Sequence, residues 1–382
     1  MTVTGQCRPE FDELRTEFEK NIASGEDLGA SIVIDIDGDV VVDLWGGFCD
    51  SDQTRPWEAD TITNVWSSTK TVTSLAVLML VDRRQLDVRA PVAEYWPEFG
   101  ANGKDRIELR HLLSHTSGVA GWEPPFGMDD LYDWELASSH LAAQKPWWEP
   151  GTASGYHAQN YGQLLGEVVR RVSGMTLAQF VADEIAGPLG ADFHIGAGES
   201  DWPRIADVVP PPPLPIDITA LPEDNLLRKA LGTPPLDAAA ANTAPWRRAD
   251  LGAYNGHGNA RSLARIMSII PRGGTVDGVT LLSPATIELI FEEQSNGRDL
   301  VLGVPLRFGI GFGLPEPRTL AYIPDERICF WGGWGGSMVV MDLDRRMTIT
   351  YMMNKMGLGI LGSPRSEAYL RAVYQAVDAH AG

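Results

Sequence analysis

Ser67 and Lys70 stand three residues apart at the start of a strongly helix-forming stretch. That spacing places the hydroxyl and the amine one helical turn apart on the same face, within reach of a hydrogen bond. A serine is a weak nucleophile until a base takes its proton, and a lysine can be that base when burial or nearby cations disfavour its charged form. The pair therefore predicts nucleophilic catalysis, with Ser67 as the nucleophile.

The residues after Lys70 favour this interpretation over the alternative, a capping serine beside a surface lysine. Residues 71–81, Thr-Val-Thr-Ser-Leu-Ala-Val-Leu-Met-Leu-Val, are apolar on nearly every face and predict a buried helix. Of the six lysines, Lys70 alone has a serine three residues before it. The dipole at a helix N-terminus disfavours an ammonium group, and the Ser67 N–H would be free there to donate to a developing oxyanion.

Two further segments carry side chains suited to such a site. Tyr156 lies between a turn-forming run and a predicted helix, where its phenol could relay a proton if held near a cationic lysine. The alternative is an aromatic side chain packed with its hydroxyl satisfied. Residues 330–337, Phe-Trp-Gly-Gly-Trp-Gly-Gly-Ser, lie on a predicted strand. So many glycines in a strand indicate the close approach of another backbone or a substrate, or else a bulge.

Other motifs point to no bound cofactor. His111 and His115 have the spacing of a metal pair, but a zinc-protease glutamate and a third ligand are missing, so we expect a tight turn with satisfied imidazoles. Neither a Gly-x-Ser-x-Gly nucleophile elbow nor a phosphate-binding loop occurs. The Gly-x-Gly-x-x-Gly of residues 357–362 lacks the following strand and acid of a dinucleotide site. We interpret it as a flexible strand-to-helix connection, and we expect neither a metal nor a cofactor.

Composition restricts the partners and the compartment. The formal charge of −20 disfavours nucleic acids and anionic membranes, which select for basic patches. Three scattered cysteines, Cys7, Cys49 and Cys329, suit a reducing compartment better than a disulfide framework. Residues 1–18 have no apolar signal region, and no apolar run reaches the length of a membrane span. We therefore expect a cytoplasmic protein that acts on a small molecule.

Both ends of the chain predict the same kind of structure. Residues 31–45 and 337–353 each contain two β-rich runs around a turn, Asp37-Gly38 and Asp344-Arg345 respectively. Amphipathic helices are predicted at residues 9–21 and 363–380. We expect an α/β (α+β) fold in which one antiparallel sheet, built from both chain ends, is flanked by helices. This sheet domain would comprise residues 1–62 and 318–382.

Residues 63–317 predict a second, mostly helical region with long loops, part of which packs on the sheet domain. Its proline-rich segment, residues 201–243, is unsuited to a helix or a central strand. That segment is either a surface connection or a wall over a pocket. The helices predicted in this region span residues 67–84, 109–114, 131–143, 160–172, 177–185 and 262–272.

Three segments, taken in order, resemble the motifs of the serine β-lactamase and penicillin-binding-protein superfamily. They are Trp66-Ser67-Ser68-Thr69-Lys70-Thr71, Tyr156-His157-Ala158 and Trp331-Gly332-Gly333. Residues 111–118, 162–166 and 281–284 also resemble structural signatures of that superfamily. The similarity is greatest to its esterase branch, the family VIII carboxylesterases, which are similar to class C β-lactamases, and it covers nearly the whole chain. It implies a β-lactamase-like fold.

The resemblance also implies roles for individual residues. Ser67 would form an acyl-enzyme, and Lys70 and Tyr156 would share the general-acid and general-base work. The backbone N–H groups of Ser67 and Trp334 would form the oxyanion hole, and Trp331, Gly332 and Gly333 would line the substrate site. Trp122, Trp147 and Trp148 are either further pocket walls or core residues.

Two positions depart from the lactamase motifs. Ala158 stands where the lactamases have an asparagine that contacts substrate and helps to orient the lysine. Trp331 stands where they have a lysine that contributes positive charge near the β-lactam carboxylate. Losing an amide and a cation removes anion recognition and adds apolar surface. We therefore expect a carboxylesterase, a serine hydrolase that cleaves small, uncharged carboxylic esters.

Three alternatives stay open at this stage. The same scaffold could hydrolyse amides, as a β-lactamase or a D-amino peptidase does, or transfer acyl groups to alcohols. Water access to the acyl-enzyme would decide between hydrolysis and transfer. A non-catalytic binding protein is the alternative from another class, and the intact Ser67, Lys70 and Tyr156 argue against it.

Overall fold

The computed structural model describes residues 2–213 and 217–380, and its central element is a nine-stranded sheet. Neighbouring strands are antiparallel throughout, in the order β1-β3-β2-β14-β13-β12-β11-β10-β9. The strands β4, β6 and β5 form a small separate sheet, and β7 pairs with β8. The strands are β1 (Thr4–Cys7), β2 (Gly29–Ile36), β3 (Asp39–Gly47), β4 (Thr63–Asn64), β5 (His194–Ile195), β6 (Gly256–Gly258), β7 (Thr275–Val276), β8 (Val279–Thr280), β9 (Ser295–Arg298), β10 (Pro305–Phe308), β11 (Gly313–Leu314), β12 (Ile328–Gly332), β13 (Met338–Asp342) and β14 (Met347–Met353).

Both predicted hairpins are present, and they meet at the centre of the sheet, where β2 pairs with β14. In the first hairpin, Asp37 and Gly38 have positive φ angles of 53° and 90°, as a tight two-residue connection requires. Every residue of β12, β13 and β14 is buried, so these strands are covered on both faces. The predicted antiparallel sheet built from both chain ends is confirmed.

Fourteen α-helices occur in the described residues. A π-helical turn, Val181–Ala186, joins α8 to α9, and several short 3-10 turns lie in the loops. The helices are α1 (Asp12–Ser24), α2 (Thr69–Asp82), α3 (Val92–Tyr95), α4 (Leu109–Leu113), α5 (Met128–Tyr132), α6 (Trp134–Ala143), α7 (Tyr161–Ser173), α8 (Leu177–Phe180), α9 (Gly187–Leu189), α10 (Leu226–Gly232), α11 (Ala244–Arg248), α12 (Ala260–Met267), α13 (Pro284–Ile290) and α14 (Pro364–His380).

Helices cover both faces of the sheet. The Thr350 hydroxyl on β14 donates to the Ala260 carbonyl of α12 at 2.8 Å, which places α12 on one face. Tyr351, the next residue, contacts Tyr369 of α14, and neighbouring residues of a strand point to opposite faces. Helix α14 packs with α1 on that second face. Helix α2 contacts α12 as well as α7, and thereby joins the sheet to the other helices.

The structure departs from the sequence predictions in several segments. The helix predicted at residues 262–272 ends at Met267, and the helix predicted at residues 177–185 is α8 followed by the π-helical turn. The helix predicted at residues 131–143 is broken at Asp133, whose carboxylate accepts from the Leu136 N–H and so caps α6. The proline-rich segment 201–243 contains the helix α10, because Asn225 caps a proline-free run. None of the described helices is both long and apolar enough to cross a membrane.

The division into residues 1–62 with 318–382 and residues 63–317 stays a prediction. Strands β9, β10 and β11 belong to the central sheet, although they lie within the second range. They lie beyond β12, on the side away from β13, and β9 is the edge strand. The helical range therefore extends the sheet beyond the two chain ends.

Asp27 connects the first helix to the end of the chain. This fully buried carboxylate accepts hydrogen bonds from the hydroxyls of Tyr351, at 2.5 Å, and Tyr369, at 2.7 Å. It also forms an ion pair with the buried Arg365 at 2.6 Å. Arg365 in turn donates to the Gly335 carbonyl at 3.3 Å, in the glycine-rich segment after β12. One buried network therefore joins the chain ends to the loop that carries Trp334.

We predict that Asp27→Ala lowers the free energy of unfolding by about 3–5 kcal/mol, because it leaves the Arg365 guanidinium buried without its counterion. Urea unfolding followed by circular dichroism measures the loss. The control is Glu19→Ala, which removes an exposed ion pair with Arg15 and should cost less than about 1 kcal/mol. Equal losses for the two variants would contradict a special role for the buried network.

Candidate active site

Ser67 lies in the turn that leads into α2, where the backbone is under strain. Trp66, immediately before it, has a φ of 51°, which is unfavourable for a bulky side chain. The Trp66 ring is buried between Trp246 and Trp334, with edge-on centroid distances of 5.7 and 5.2 Å. The Thr69 hydroxyl donates to the Trp66 carbonyl at 2.6 Å. Packing and hydrogen bonding therefore fix the strained residue and with it the direction of the Ser67 side chain.

Lys70 is surrounded by hydrogen-bond acceptors and shielded from water. Its Nζ lies 3.1 Å from the Ser67 Oγ and donates to the Ala158 and Ala253 carbonyls, both at 2.8 Å. The side chain is 2% exposed, and desolvation lowers its pKa well below the usual range. A neutral amine has two N–H donors for the two carbonyls and one lone pair for the serine hydroxyl. Three oxygens therefore lie within hydrogen-bond distance of the amine, and in its neutral form it could accept the serine proton.

Tyr156 stands beside this pair as a neutral phenol. The Trp331 indole N–H donates to its hydroxyl at 3.0 Å, and the Lys70 Nζ lies 4.9 Å from the centre of its ring. Burial raises the pKa of Tyr156 well above its usual range, against the opposing hydrogen bonds from Ser67 and Trp331. The structure therefore brings together the three predicted catalytic side chains, and it keeps the phenol protonated.

The glycines after β12 allow this strand end to reach the nucleophile. A Cβ at Gly333 would lie 2.7 Å from the Val65 carbonyl and 3.0 Å from the Trp66 Cβ. The close backbone approach predicted from the glycine run is confirmed. Ser337 fastens the contact, because its hydroxyl donates to the Val65 carbonyl at 3.0 Å. Gly332 ends β12 opposite Met338.

Two backbone N–H groups near this contact have no acceptor. In residues 2–213 and 217–380, the amides of Ser67 and Trp334 donate to no backbone or side-chain oxygen. Trp334 is partly exposed and packs edge-on against Trp66, the residue before the nucleophile. Free backbone amides near a serine hydroxyl can bind the negative oxygen of a tetrahedral intermediate.

Asp299 is a residue of the site that the sequence patterns did not indicate. Its Oδ1 accepts from three backbone N–H groups, those of Tyr156 at 3.1 Å, Val301 at 3.0 Å and Leu302 at 2.8 Å. The side chain is fully buried, and this burial raises its pKa. One carboxylate therefore connects the Tyr156 loop to the loop between β9 and β10. Nothing in the sequence around Asp299 signals this contact.

The two histidines of residues 111–118 have different partners. His111 Nδ1 accepts from the Glu108 N–H at the start of α4, and His115 Nδ1 accepts from the His157 N–H at 3.1 Å. The His115 ring also lies 5.0 Å from that of Tyr156, and burial lowers its pKa well below the usual range. In the part of the chain that the structure describes, no three His, Cys, Asp or Glu side chains converge as metal ligands would.

An apolar cluster surrounds the phenol, and we call it the Tyr156 cluster. Trp147 and Trp148 pack against it and are partly exposed, whereas Trp122 is fully buried and stacks on Phe126 in the main core. Helix α10 of the proline-rich segment also contributes to it, which agrees with a wall over the site. Its buried members are Ala120, Tyr156, Ala158, Ala230, Leu231, Val301, Leu306, Phe308 and Trp331.

The described site combines a serine hydroxyl, a buried lysine amine whose pKa is lowered, a phenol whose pKa is raised, and two free amides in apolar surroundings. These are the groups that acyl transfer through a serine requires. The predicted members Ser67, Lys70, Tyr156, Trp331, Gly332, Gly333 and Trp334 all lie in this one region.

Comparison with known proteins agrees with this geometry. The family model described as Beta-lactamase matches residues 15–372. The chain is 34% identical over 331 residues to "Esterase/beta-lactamase LipL" of Mycobacterium tuberculosis strain H37Rv, covering 82% of this chain and 75% of that protein. A solved family VIII carboxylesterase aligns with a TM-score of 0.92 and 38% identity, over 98% of this chain and 100% of the other. A penicillin-binding-protein homologue from Caulobacter crescentus aligns with a TM-score of 0.89 and 37% identity, over the same shares. The chain belongs to the Beta-lactamase family.

Proposed function

We propose that the protein is a carboxylesterase that hydrolyses small, uncharged esters through an acyl-enzyme on Ser67. The observation that carries the proposal is the contact between the Ser67 hydroxyl and the buried Lys70 amine. The aligned family VIII carboxylesterase and the mycobacterial relative, which is named an esterase/beta-lactamase, support the same activity.

In the proposed first step, the neutral Lys70 amine takes the proton of Ser67 while the serine oxygen attacks the ester carbonyl. Two carbonyls, of Ala158 and Ala253, stabilise the resulting ammonium. The free amides of Ser67 and Trp334 bind the oxyanion. Tyr156 then donates its phenol proton to the departing alcohol oxygen, and the Lys70 ammonium restores it. Water then attacks the acyl-enzyme, and the same proton transfers run in reverse. They return the proton to Ser67 and release the acid.

The main-chain carbonyl of Ala158 supplies the hydrogen-bond acceptor for Lys70 that the alanine side chain cannot provide. It accepts directly from Lys70, so the amine is oriented without an asparagine amide. The Trp331 indole N–H donates a hydrogen bond to the Tyr156 hydroxyl. The rest of the indole presents an apolar face where the lactamase motif has a cation. Both replacements favour a neutral substrate over an anionic one.

We also infer that the protein works in the cytoplasm. Its three cysteines are free thiols, two of them buried. Free buried thiols are typical of reducing compartments.

Our first activity prediction concerns the nucleophile. Ser67→Ala should lower kcat for p-nitrophenyl butyrate by several orders of magnitude, because no acyl-enzyme can form. The matched control is Ser68→Ala, a neighbouring buried serine whose hydroxyl contacts Ser337 at 3.1 Å. A Ser67→Ala enzyme that keeps more than a few per cent of activity, with loss in Ser68→Ala, would show that the nucleophile is misassigned.

The second concerns Asp299 as a positioning residue for Tyr156. Asp299→Ala leaves three N–H groups without their acceptor, and kcat should fall about 10-fold to 100-fold. Asp299→Asn retains an acceptor oxygen and should recover most of the activity. Steady-state kinetics with p-nitrophenyl butyrate, with circular dichroism as a check of folding, separates the two. An Asn variant as impaired as the Ala variant would contradict positioning by hydrogen bonds.

The third concerns substrate class. The wild-type kcat/KM for p-nitrophenyl butyrate should exceed that for a cephalosporin by roughly two orders of magnitude, since no cation replaces the missing lysine at Trp331. Trp331→Lys should shift this ratio toward the cephalosporin and should also weaken ester hydrolysis, because Tyr156 loses an indole donor. Equal wild-type efficiency on both substrates would refute the esterase assignment.

A further inference from the structure

A groove outside the catalytic residues has an apolar lining. Three loops form it, the loop between β9 and β10, the loop between β11 and β12, and the glycine-rich connection from β14 to α14. Its volume of about 470 Å³ is within the range of small-molecule pockets. We call it the aliphatic groove, and the side chains that define it are Leu302, Val304, Leu320, Leu358, Ile360 and Leu361.

The aliphatic groove shares four of its side chains with the surroundings of the phenol. Leu302, Val304, Ile360 and Leu361 pack against the Tyr156 cluster, which contains the phenol and Trp331. On the opposite side, the connection after β14 pairs with the strand end that carries the free Trp334 amide. There the Gly335 N–H donates to the Gly359 carbonyl and the Gly357 N–H donates to the Gly335 carbonyl, both at 2.8 Å.

Exposed leucines lie on two of these three loops. Among the described residues, the large apolar side chains classed as exposed are Leu300, at 40%, and Leu358, at 46%. Leu300 lies on the loop between β9 and β10 outside the groove, whereas Leu358 lines the groove itself. The concave surface therefore presents an exposed apolar side chain to solvent.

The charge of the lining restricts the ligand further. Glu367 is the charged residue of the lining, and its carboxylate is already paired with Arg371 at 2.8 Å. The groove offers no cation to an anionic group, so an uncharged hydrocarbon suits it best.

We propose that the aliphatic groove binds the hydrocarbon part of the alcohol in the ester substrate. This inference rests on the proposed function, in which Tyr156 protonates the departing alcohol oxygen. Asp299 binds the N–H groups of both Tyr156 and Leu302, so the proton donor and the groove wall form one unit. In this proposal the alcohol leaves on the Tyr156 side, and its chain packs along the aliphatic side chains that the groove shares with the Tyr156 cluster.

The test is a series of alkyl acetates from ethyl to hexyl, with acetate release followed in a pH-stat. The wild-type kcat/KM should rise about threefold with each added methylene, as burial of a methylene predicts. Leu302→Ser and Ile360→Ser, both partly exposed in the native protein, should each lower the hexyl-to-ethyl ratio about fivefold. Leu300→Ser is the matched control. It removes an exposed leucine of the same loop that does not line the groove, and the ratio should stay within twofold of wild type.

A second series, p-nitrophenyl esters from acetate to hexanoate, varies the acyl chain with a constant alcohol. The groove variants should leave this dependence close to that of wild type. Three results would overturn the inference while ester hydrolysis itself persists. The wild-type kcat/KM could be constant along the alkyl acetate series, the hexyl-to-ethyl ratio could be unchanged in both groove variants, or the variants could alter only the dependence on acyl chain length. If the wild-type protein hydrolyses no ester of either series, the proposed function fails and the inference fails with it.

Discussion

The burial of Lys70 is the constraint on which the site depends. An ammonium group without water is costly, so the burial of Lys70, which is 2% exposed, lowers its pKa and favours the neutral amine. The two carbonyls that contact the amine do not abolish this preference, because backbone carbonyls carry only partial charge. In its neutral form, an amine 3.1 Å from a serine hydroxyl is placed to act as a base. Burial thus favours the role of base that we propose for Lys70.

The rest of the fold keeps water away from Lys70 and holds its amine in contact with Ser67. Helix α2 lies inside the protein, with twelve of its fourteen residues buried, so its first turn brings Ser67 and Lys70 into the interior. The carbonyls that contact the amine come from two loops far apart in sequence, at Ala158 and Ala253. The sheet contributes the glycine-rich end of β12. Arg365, on α14, links the segment after β12 to the Asp27 network. Loss of either support would admit water or shift a contact.

Sequence patterns predicted the parts of this arrangement that are local. The Ser67–Lys70 spacing requires only a helix, and the hairpin at Asp37-Gly38 requires only a turn. Several contacts that depend on the tertiary structure were missed. A backbone carbonyl such as that of Ala253 has no side-chain signature, and Tyr156 and Asp299, 143 positions apart, are joined only in the folded chain. The indole donor of Trp331 was expected to be an apolar wall, because residue type does not reveal hydrogen-bond direction.

The most direct test is an NMR titration of the six lysines, labelled with ¹³C at Cε. Comparison with Lys70→Met assigns the Lys70 resonance and separates it from Lys104, whose pKa burial lowers to about 8. The account predicts that Lys70 titrates well below the ordinary lysine pKa of about 10.4 and is neutral at pH 7. A Lys70 resonance that titrates near the ordinary value would mean that the amine is charged at neutral pH. It could not then take the Ser67 proton, and the proposed mechanism would be wrong.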